Sequence, residues 1–373
     1  MKLRELEEKD LEKTRELRNK NKEWFFTSEY ITTEQQQRWF LNKPKNHKFY
    51  VIEENGEIIG TIGLKEADEI EVFALTIDEP HRGKGHMKRA IQQLTSDDRR
   101  YYAQIMPKNL NSIRVFKKAG FIEKEISEEK VVLVKPTLTI FTPLAGRIHC
   151  WNPFVKFLTH QTLHHSYTQL ILMDTGNNVE FSQRITKFLG KCDYPHCYIF
   201  NPLNTAGIVD APRQAYRDVI HTKVGEIYNS IIPMVKTKFL WIIEDDIIPS
   251  HDAGEKLLKG FTSPDTFSVS AVYMQHPRHY PAPFSARLVA WKKLSPNTVW
   301  LEKIGKGIER IDGNGMGCVI LKVFKDFDFS YEKATLGYDM QFYMREKQKG
   351  RIAKINWDVK CHHMENVPHT KLA

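Results

Sequence analysis

Long apolar runs are missing from this sequence. No stretch of its 373 residues approaches the ~18–20 consecutive apolar residues that span a bilayer as a helix. The reading is a chain without a transmembrane segment. The opening, MKLRELEEKDLEK, is charged throughout and has no apolar core of the kind a signal peptide needs. Cysteine is scarce. There are five, none in a CxxC pair, and the nearest two, Cys192 and Cys197, match no common zinc spacing. The expectation is a cytoplasmic chain with reduced thiols. Internal repeats and low-complexity linkers are absent too. What remains is 41% apolar and 27% charged, the balance of a soluble globular protein. The length exceeds what one hydrophobic core usually serves, so two domains are expected.

The net charge of +9 is unevenly spread: residues 1–135 carry +2 and the remainder +7. A basic second half suits a phosphate-bearing partner such as a nucleotide sugar or nucleic acid. The boundary falls near EEKVVLVKPTLTIFTP, where Lys135-Pro136 breaks a strand-like run and a second run starts at Leu138. We therefore expect domains over 1–135 and 136–373. In the first, LEKTRELRNKNK, TTEQQQRWFLNK, GHMKRAIQQLTS and LNSIRVFKKAG have helical periodicity. KFYVIEENGEIIGTIGL predicts a hairpin turning at Asn55-Gly56. In the second, short apolar strands such as TQLILMD and FLWIIED alternate with helices. That pattern predicts a largely parallel sheet with ligands beyond the carboxyl ends of its strands.

Two segments carry chemistry. IEVFALTIDEPHRGKGHMKRAI runs strand, basic glycine turn, helix, and cradles an anion on backbone amides and a helix N-terminus. Residues 1–134 resemble the GNAT acyl-CoA N-acyltransferases, whose pyrophosphate signature reads here Arg82, Gly83, Lys84, Gly85, His86, Met87. Met87 replaces the small residue usual at the last place. NLNSIRVFKKAGF resembles the second signature, which implies that Asn109 and Ser112 lie near the coenzyme arm. The resemblance implies acetyl-CoA or another acyl-CoA as cofactor and Glu71 as the base, with Glu69 a nearby alternative. Phe116 stands where many members carry an acidic tyrosine, so Tyr101 and Tyr102 become substitutes. LRNKNKEWFFTSEYITTEQQQRWF is similar to members that acylate nucleotide-linked amino sugars or protein N-termini.

The second segment is FLWIIEDDIIPS, with Glu244, Asp245 and Asp246 at the end of an apolar run. Unpaired buried carboxylates cost several kcal/mol, so a basic side chain or a metal ion must sit beside them. Residues 137–366 resemble the GT-A-fold glycosyltransferases in motif order. That resemblance implies Mn2+ or Mg2+ on Asp246, Glu244 and His363 or His362. It also implies a nucleotide sugar against Asp174, Glu244 and Asp245, and Asp339 as the base that deprotonates a hydroxyl acceptor. YMQHPRHYPAPF reads as a loop over the acceptor cleft.

The combined expectation is α/β: a GNAT-like mixed-sheet domain followed by a GT-A (Rossmann-like) nucleotide-sugar-binding domain. The function expected is a bifunctional transferase. One half N-acylates an amine, such as an amino sugar, and the other transfers a sugar to a hydroxyl acceptor such as a glycan. Two alternatives stand beside it: glycosylation of hydroxymethylated bases in DNA, and a non-catalytic nucleotide- or nucleic-acid-binding module fused to an acyltransferase.

Overall fold

The computed structural model describes residues 1–203, 213–274, 288–294, 298–301, 303–333 and 336–364. It divides into two compact units, Met1–Thr137 and Leu138–Ala373. No helix among the described residues is long and apolar enough to cross a membrane. The segment YMQHPRHYPAPF lies outside the described residues beyond Met274.

The first unit is one seven-stranded sheet. In chain order it comprises β1 (Lys2–Glu5), α1 (Leu11–Lys20), α2 (Thr33–Asn42), β2 (His47–Glu54), β3 (Glu57–Lys65) and β4 (Ile70–Ile77). Beyond these lie α3 (His86–Leu94), β5 (Tyr101–Ile105), α4 (Leu110–Lys118), β6 (Ile122–Ile126) and β7 (Val131–Lys135). The sheet order is β1-β2-β3-β4-β5-β7-β6. Thr32 caps α2 in a reciprocal box with Gln35, each side chain bonding the other's amide. Asn55 and Gly56 both have positive φ, as a two-residue hairpin turn between β2 and β3 requires. The core under α3 and α4 is built from Ile62, Val72, Ile91, Ala103, Phe116 and Leu133.

Two irregularities in β4 shape the surface beside it. Its pairing with β3 skips a residue, and Ala74 there takes φ 54°. This is a bulge, and it aims neighbouring side chains to one side where a regular strand would alternate them. Its parallel pairing with β5 covers only Ile70 with Tyr101 and Glu71 with Tyr102, then stops. The remaining length of β4 has an edge with no strand beside it.

The second unit contains β8 (Leu138–Leu144), α5 (Ile148–His160), β9 (Thr168–Asp174), α6 (Val179–Leu189), β10 (His196–Phe200) and α7 (Arg213–Ile231). Next come β11 (Phe239–Ile243), β12 (Ile247–Ile248), α8 (Ala253–Leu258), β13 (Thr266–Val272), β14 (Ala290–Lys293) and β15 (Val299–Trp300). Last are β16 (Ile308–Ile311), β17 (Gly313–Asn314), β18 (Cys318–Lys322), α9 (Tyr338–Gln348), β19 (Ile352–Lys360) and β20 (His362–His363). The main sheet is ordered β10-β9-β8-β11-β18-β13-β19-β16. β8 to β11 pair in parallel, while β18 and β16 run against their neighbours, so the sheet is mixed. The chain reverses its order of strand addition between β8 and β11. In α/β sheets that switch point leaves a crevice at the carboxyl ends. Apolar side chains fill both faces, with Phe141, Ile242 and Trp291 on one and Ile140, Trp241 and Ile320 on the other.

Candidate functional site

In the first unit, a cavity of about 600 Å³ opens beside the unpaired edge of β4. The bulge lets Phe73, Ala74, Leu75 and Thr76 all line it, together with Glu71. A smaller lobe of about 190 Å³ shares Trp24, Leu75, Thr76, Asn109 and Ser112 with it and ends at Arg82 and Met87. The structure therefore brings Arg82 and Met87 of the predicted signature, Asn109, Ser112 and Glu71 to the walls of two adjoining cavities. Gly83 and Gly85 both take φ 78°, the left-handed region glycine enters without strain. Arg82 is held by the Ile77 carbonyl and by Asn21 Oδ1 at 2.8 Å. Lys84 stands exposed in the turn. His86 is buried at the start of α3. Its Nδ1 meets Arg89 and its Nε2 lies 3.4 Å from Glu54. Burial lowers its pKa. Asn109 caps α4, with Oδ1 accepting from the Ser112 amide at 3.1 Å.

Glu71 Oε2 accepts from the Tyr102 hydroxyl at 3.5 Å. Burial, with Glu71 beside it, raises the Tyr102 pKa. Tyr101 is fully buried and donates to Asp97, and burial raises it to about 12. Phe116 is sealed in the core. Of the two substitute acids, only Tyr102 touches the predicted base. Sequence spacing did not reveal the aromatic wall of the cavity, formed by Trp24, Phe25, Trp39, Phe49 and Phe73. Its signal was present in the aromatic residues of EWFF and RWF, which do not fit one helical face.

In the second unit, the loops after β8 and β11 meet at the switch point. Asp245 is buried. It accepts from the Ala145 amide at 2.9 Å and from the Arg147 guanidinium. Arg147 also stands 3.1 Å from Asp246 Oδ2, and His363 Nε2 lies 3.5 Å from the same oxygen. Asp246 Oδ1 is buried with no hydrogen-bond partner among the described residues. Burial raises Glu244 to about 7, with Asp246 adding to it, and raises Asp245 to about 6 against Arg147. Burial pushes Asp246 up as well, but the His363 bond and Arg147 outweigh it and hold its pKa low.

The cation beside the acids is thus a guanidinium. Among the described residues no three His, Cys, Asp or Glu side chains gather as a metal-holding set. Arg147 stands beside the residues that the resemblance gave to Mn2+ or Mg2+, where His363 meets Asp246 and Glu244 precedes Asp246 on the same loop. His362 pairs with Ile248 and stays exposed, since neighbours on a strand face opposite ways. Asp174 is fully buried. Ser182, Tyr198 and the Gly176 amide donate to its carboxylate, so it braces the loop after β9 and is closed to a nucleoside.

Asp339 opens α9 as predicted, and burial raises it to about 6. A side-chain carbon at Gly337 would meet Asp339 Oδ1 at 2.6 Å and His221 Cε1 at 3.1 Å, so the missing Cβ makes room for both groups. Burial raises the hydroxyls of Tyr228, Tyr273 and Tyr338, and the charges of Glu244 and Asp339 add to each shift.

Comparison with known proteins bears on the first unit. Residues 11–121 match the family model described as acetyltransferase (GNAT) family. The probable N-acetyltransferase YjcK of Bacillus subtilis is 28% identical over 152 residues, 35% of this chain and 84% of that protein. Among solved structures, AAC(6')-Ib in complex with paromomycin and acetyl-CoA is 22% identical. It covers 36% of this chain and 91% of its own, at a TM-score of 0.33. A197 from STIV is 13% identical and covers 62% of this chain and 86% of its own, at a TM-score of 0.32. None of these likenesses assigns a glycosyltransferase to the second unit. The family-model match over residues 11–121 falls inside the first unit and makes that unit similar to the GNAT acetyltransferases.

Proposed function

We propose that the first unit transfers an acetyl group from acetyl-CoA to a primary amine, with Glu71 as the base. The observation that carries this is the pair of adjoining cavities that share Asn109 and Ser112, one lined by Glu71 and the other by Arg82 and Met87. The fit to acetyl-CoA rests on three features. The turn and the first amides of α3 suit a pyrophosphate. The open edge of β4 suits an extended amide-bearing arm, paired as an added strand. The bulge at Ala74 aims backbone toward the cavity where a thioester carbonyl needs donors. Glu71 takes the proton from the attacking amine, and Tyr102 orients its carboxylate. The acceptor is a primary amine: residues 17–40 are similar to acetyltransferases that act on amino sugars or on protein N-termini, so sugar amines and α-amines are both candidates. The test is calorimetric binding of acetyl-CoA, then thiol release with a panel of amines. Binding with amine-dependent release supports the reading, and absence of acetyl-CoA binding overturns it.

We infer a finer reading for the second unit: transfer of a sugar from a nucleotide sugar to a hydroxyl, with Asp339 as base. What favours it is the position of three acids at a topological switch point, with the charges of Glu244 and Asp339 both acting on the Tyr338 hydroxyl. The Arg147 guanidinium argues for a phosphate contact in place of a metal bridge. A glycan or a hydroxymethylated DNA base would serve as acceptor. Nucleotide release from UDP-, GDP-, dTDP- and CMP-sugars, with manganese or with chelator, tests it. Release lost in Asp246→Asn supports transfer. No release with any donor and acceptor leaves the second unit a binding module.

A further inference from the structure

The larger lobe of the acetyl-transfer cavity has three charged side chains in its lining: Arg18, Glu29 and Glu71. Glu71 serves the amine, and Glu29 stands exposed at the rim. Arg18 has no such assignment. Its guanidinium lies 4.0 Å over the Phe25 ring and donates through one nitrogen to the Thr27 carbonyl. The other terminal nitrogen is buried without a partner. Burial alone moves its pKa, downward, with no carboxylate acting on it. A partly buried cation without a counter-ion is costly unless a ligand supplies the anion. The coenzyme's phosphates are not that anion, because Arg18 is absent from the smaller lobe, where Arg82 and Met87 lie on either side of the glycine turn in sequence.

The rest of the wall is uncharged: aromatic rings take one part of it, and Gln35, Gln36, Thr61 and Gln104 are among its polar residues. Trp39, Phe49 and Phe73 form a set of edge-on rings, with centroids 4.6 and 5.2 Å apart. Trp24 and Tyr30 are 41% and 60% exposed beside the opening, an apolar surface that an occupant would cover. With one cation and two carboxylates, the lobe matches neither a polycation nor a diphosphate. It matches a molecule that carries one charge of each sign and a large apolar body.

We propose that the acceptor is zwitterionic: an α-amino acid with an aromatic or long aliphatic side chain, its amine at Glu71, its carboxylate on Arg18 and its side chain among the rings. This rests on the reading of the unit as an N-acetyltransferase with Glu71 as base. In the transfer, the new N–C bond forms as the acyl C–S bond breaks. The ammonium first gives one proton to Glu71 and becomes nucleophilic, and the second proton lost from nitrogen as the amide forms passes through solvent to the leaving thiolate.

The full chain is assayed for thiol release with acetyl-CoA and L-tryptophan, L-phenylalanine, L-leucine, their methyl esters, spermidine and kanamycin. The free amino acids are expected to have the highest kcat/KM, and the esters to lose about 10- to 100-fold, mainly in KM. Arg18→Gln should lower kcat/KM for the free acids by a similar factor and leave the esters nearly unchanged, with Arg18→Lys recovering part of the loss. Preference for kanamycin or spermidine, equal loss on acid and ester in Arg18→Gln, or no transfer to any free amino acid would each overturn the proposal. Acetyl-CoA binding, measured separately, distinguishes these results from failure of the acetyltransferase reading itself.

Discussion

Arg147 and Asp245 are joined across 98 positions of sequence: the guanidinium that begins α5 bonds the carboxylate that lies just past β11. The same guanidinium reaches Asp246, and together these contacts close the switch point of the second sheet. This pairing explains how a strand can end in three acids without an ion beside them.

Removing that cation has a stated cost. Arg147→Met should destabilise the second unit by about 2–4 kcal/mol, because Asp245 and Asp246 stay buried and lose the guanidinium they share. The range is set below that of a fully buried pair because the Arg147 side chain is 36% exposed. Urea denaturation of the variant and the parent chain checks it, and an unchanged midpoint would mean that the contact contributes nothing.

The raised carboxylates set a pH dependence. Glu244 titrates at about 7 and Asp245 at about 6, both above their ordinary values because burial disfavours the charged form. Groups raised in this way stabilise the fold below the unfolded pKa and lose that contribution as pH rises through the folded one. His363, whose pKa is raised by Asp246 and the Met274 carbonyl against the pull of burial, acts in the same direction above neutrality. Asp246, held low, contributes fully above pH 4 and does not oppose this. His221, lowered to about 4 by burial, opposes it up to about pH 6.5, and Asp339, raised to about 6 by burial, offsets part of that. The melting temperature of the second unit should therefore fall by several degrees between about pH 5 and pH 8. Glu244→Gln should flatten that slope, as tracked by calorimetry across the range.

The glycine turn makes a different prediction. A Cβ at Gly83 would meet nothing within 4 Å, so Gly83→Ala costs only the strain of φ 78°. That is about 1–2 kcal/mol for a residue with a Cβ in the left-handed region. The expected outcome is a small drop in stability with a rise in KM for acetyl-CoA. A variant with parental stability and parental KM would show that the turn does not hold the coenzyme.

Gly337→Ala probes the other interior. The added carbon would come within 2.6 Å of Asp339 Oδ1 and 3.1 Å of His221, so one of them must move. The imidazole, lowered to about 4 by burial with Arg217 beside it, should titrate closer to its ordinary value if it is pushed toward solvent. Proton NMR of the His221 ring across pH 3 to 8 reads this directly. An unchanged titration would mean that Asp339 takes up the whole displacement.

Local signals were legible in the sequence, and signals made by distant pairing were not. The Asn55-Gly56 hairpin and the glycine turn each depend on residues a few positions apart, so spacing alone revealed them. The strands Lys2–Glu5 and Ile122–Ile126 escaped because their charged side chains lie at the ends of the sheet order, where burial does not impose an apolar pattern. The reversed strand β18 escaped because direction leaves no trace in an apolar run. At the sites, residue type pointed to Asp174, but the three donors that occupy it come from residues up to 24 positions away. The same holds for Arg147, whose partners become visible only when β8 and β11 are laid side by side. The choice between His362 and His363 needed the register of β20 against β12.

The central claim is that Glu71 deprotonates an amine in a cavity that binds acetyl-CoA elsewhere along its length. The most direct measurement is the kinetic comparison of Glu71→Gln with the parent chain, together with calorimetric titration of acetyl-CoA into both. The account predicts a loss of kcat of about 10²- to 10⁴-fold with acetyl-CoA affinity unchanged. Unchanged kcat in Glu71→Gln, at equal coenzyme affinity, would contradict it.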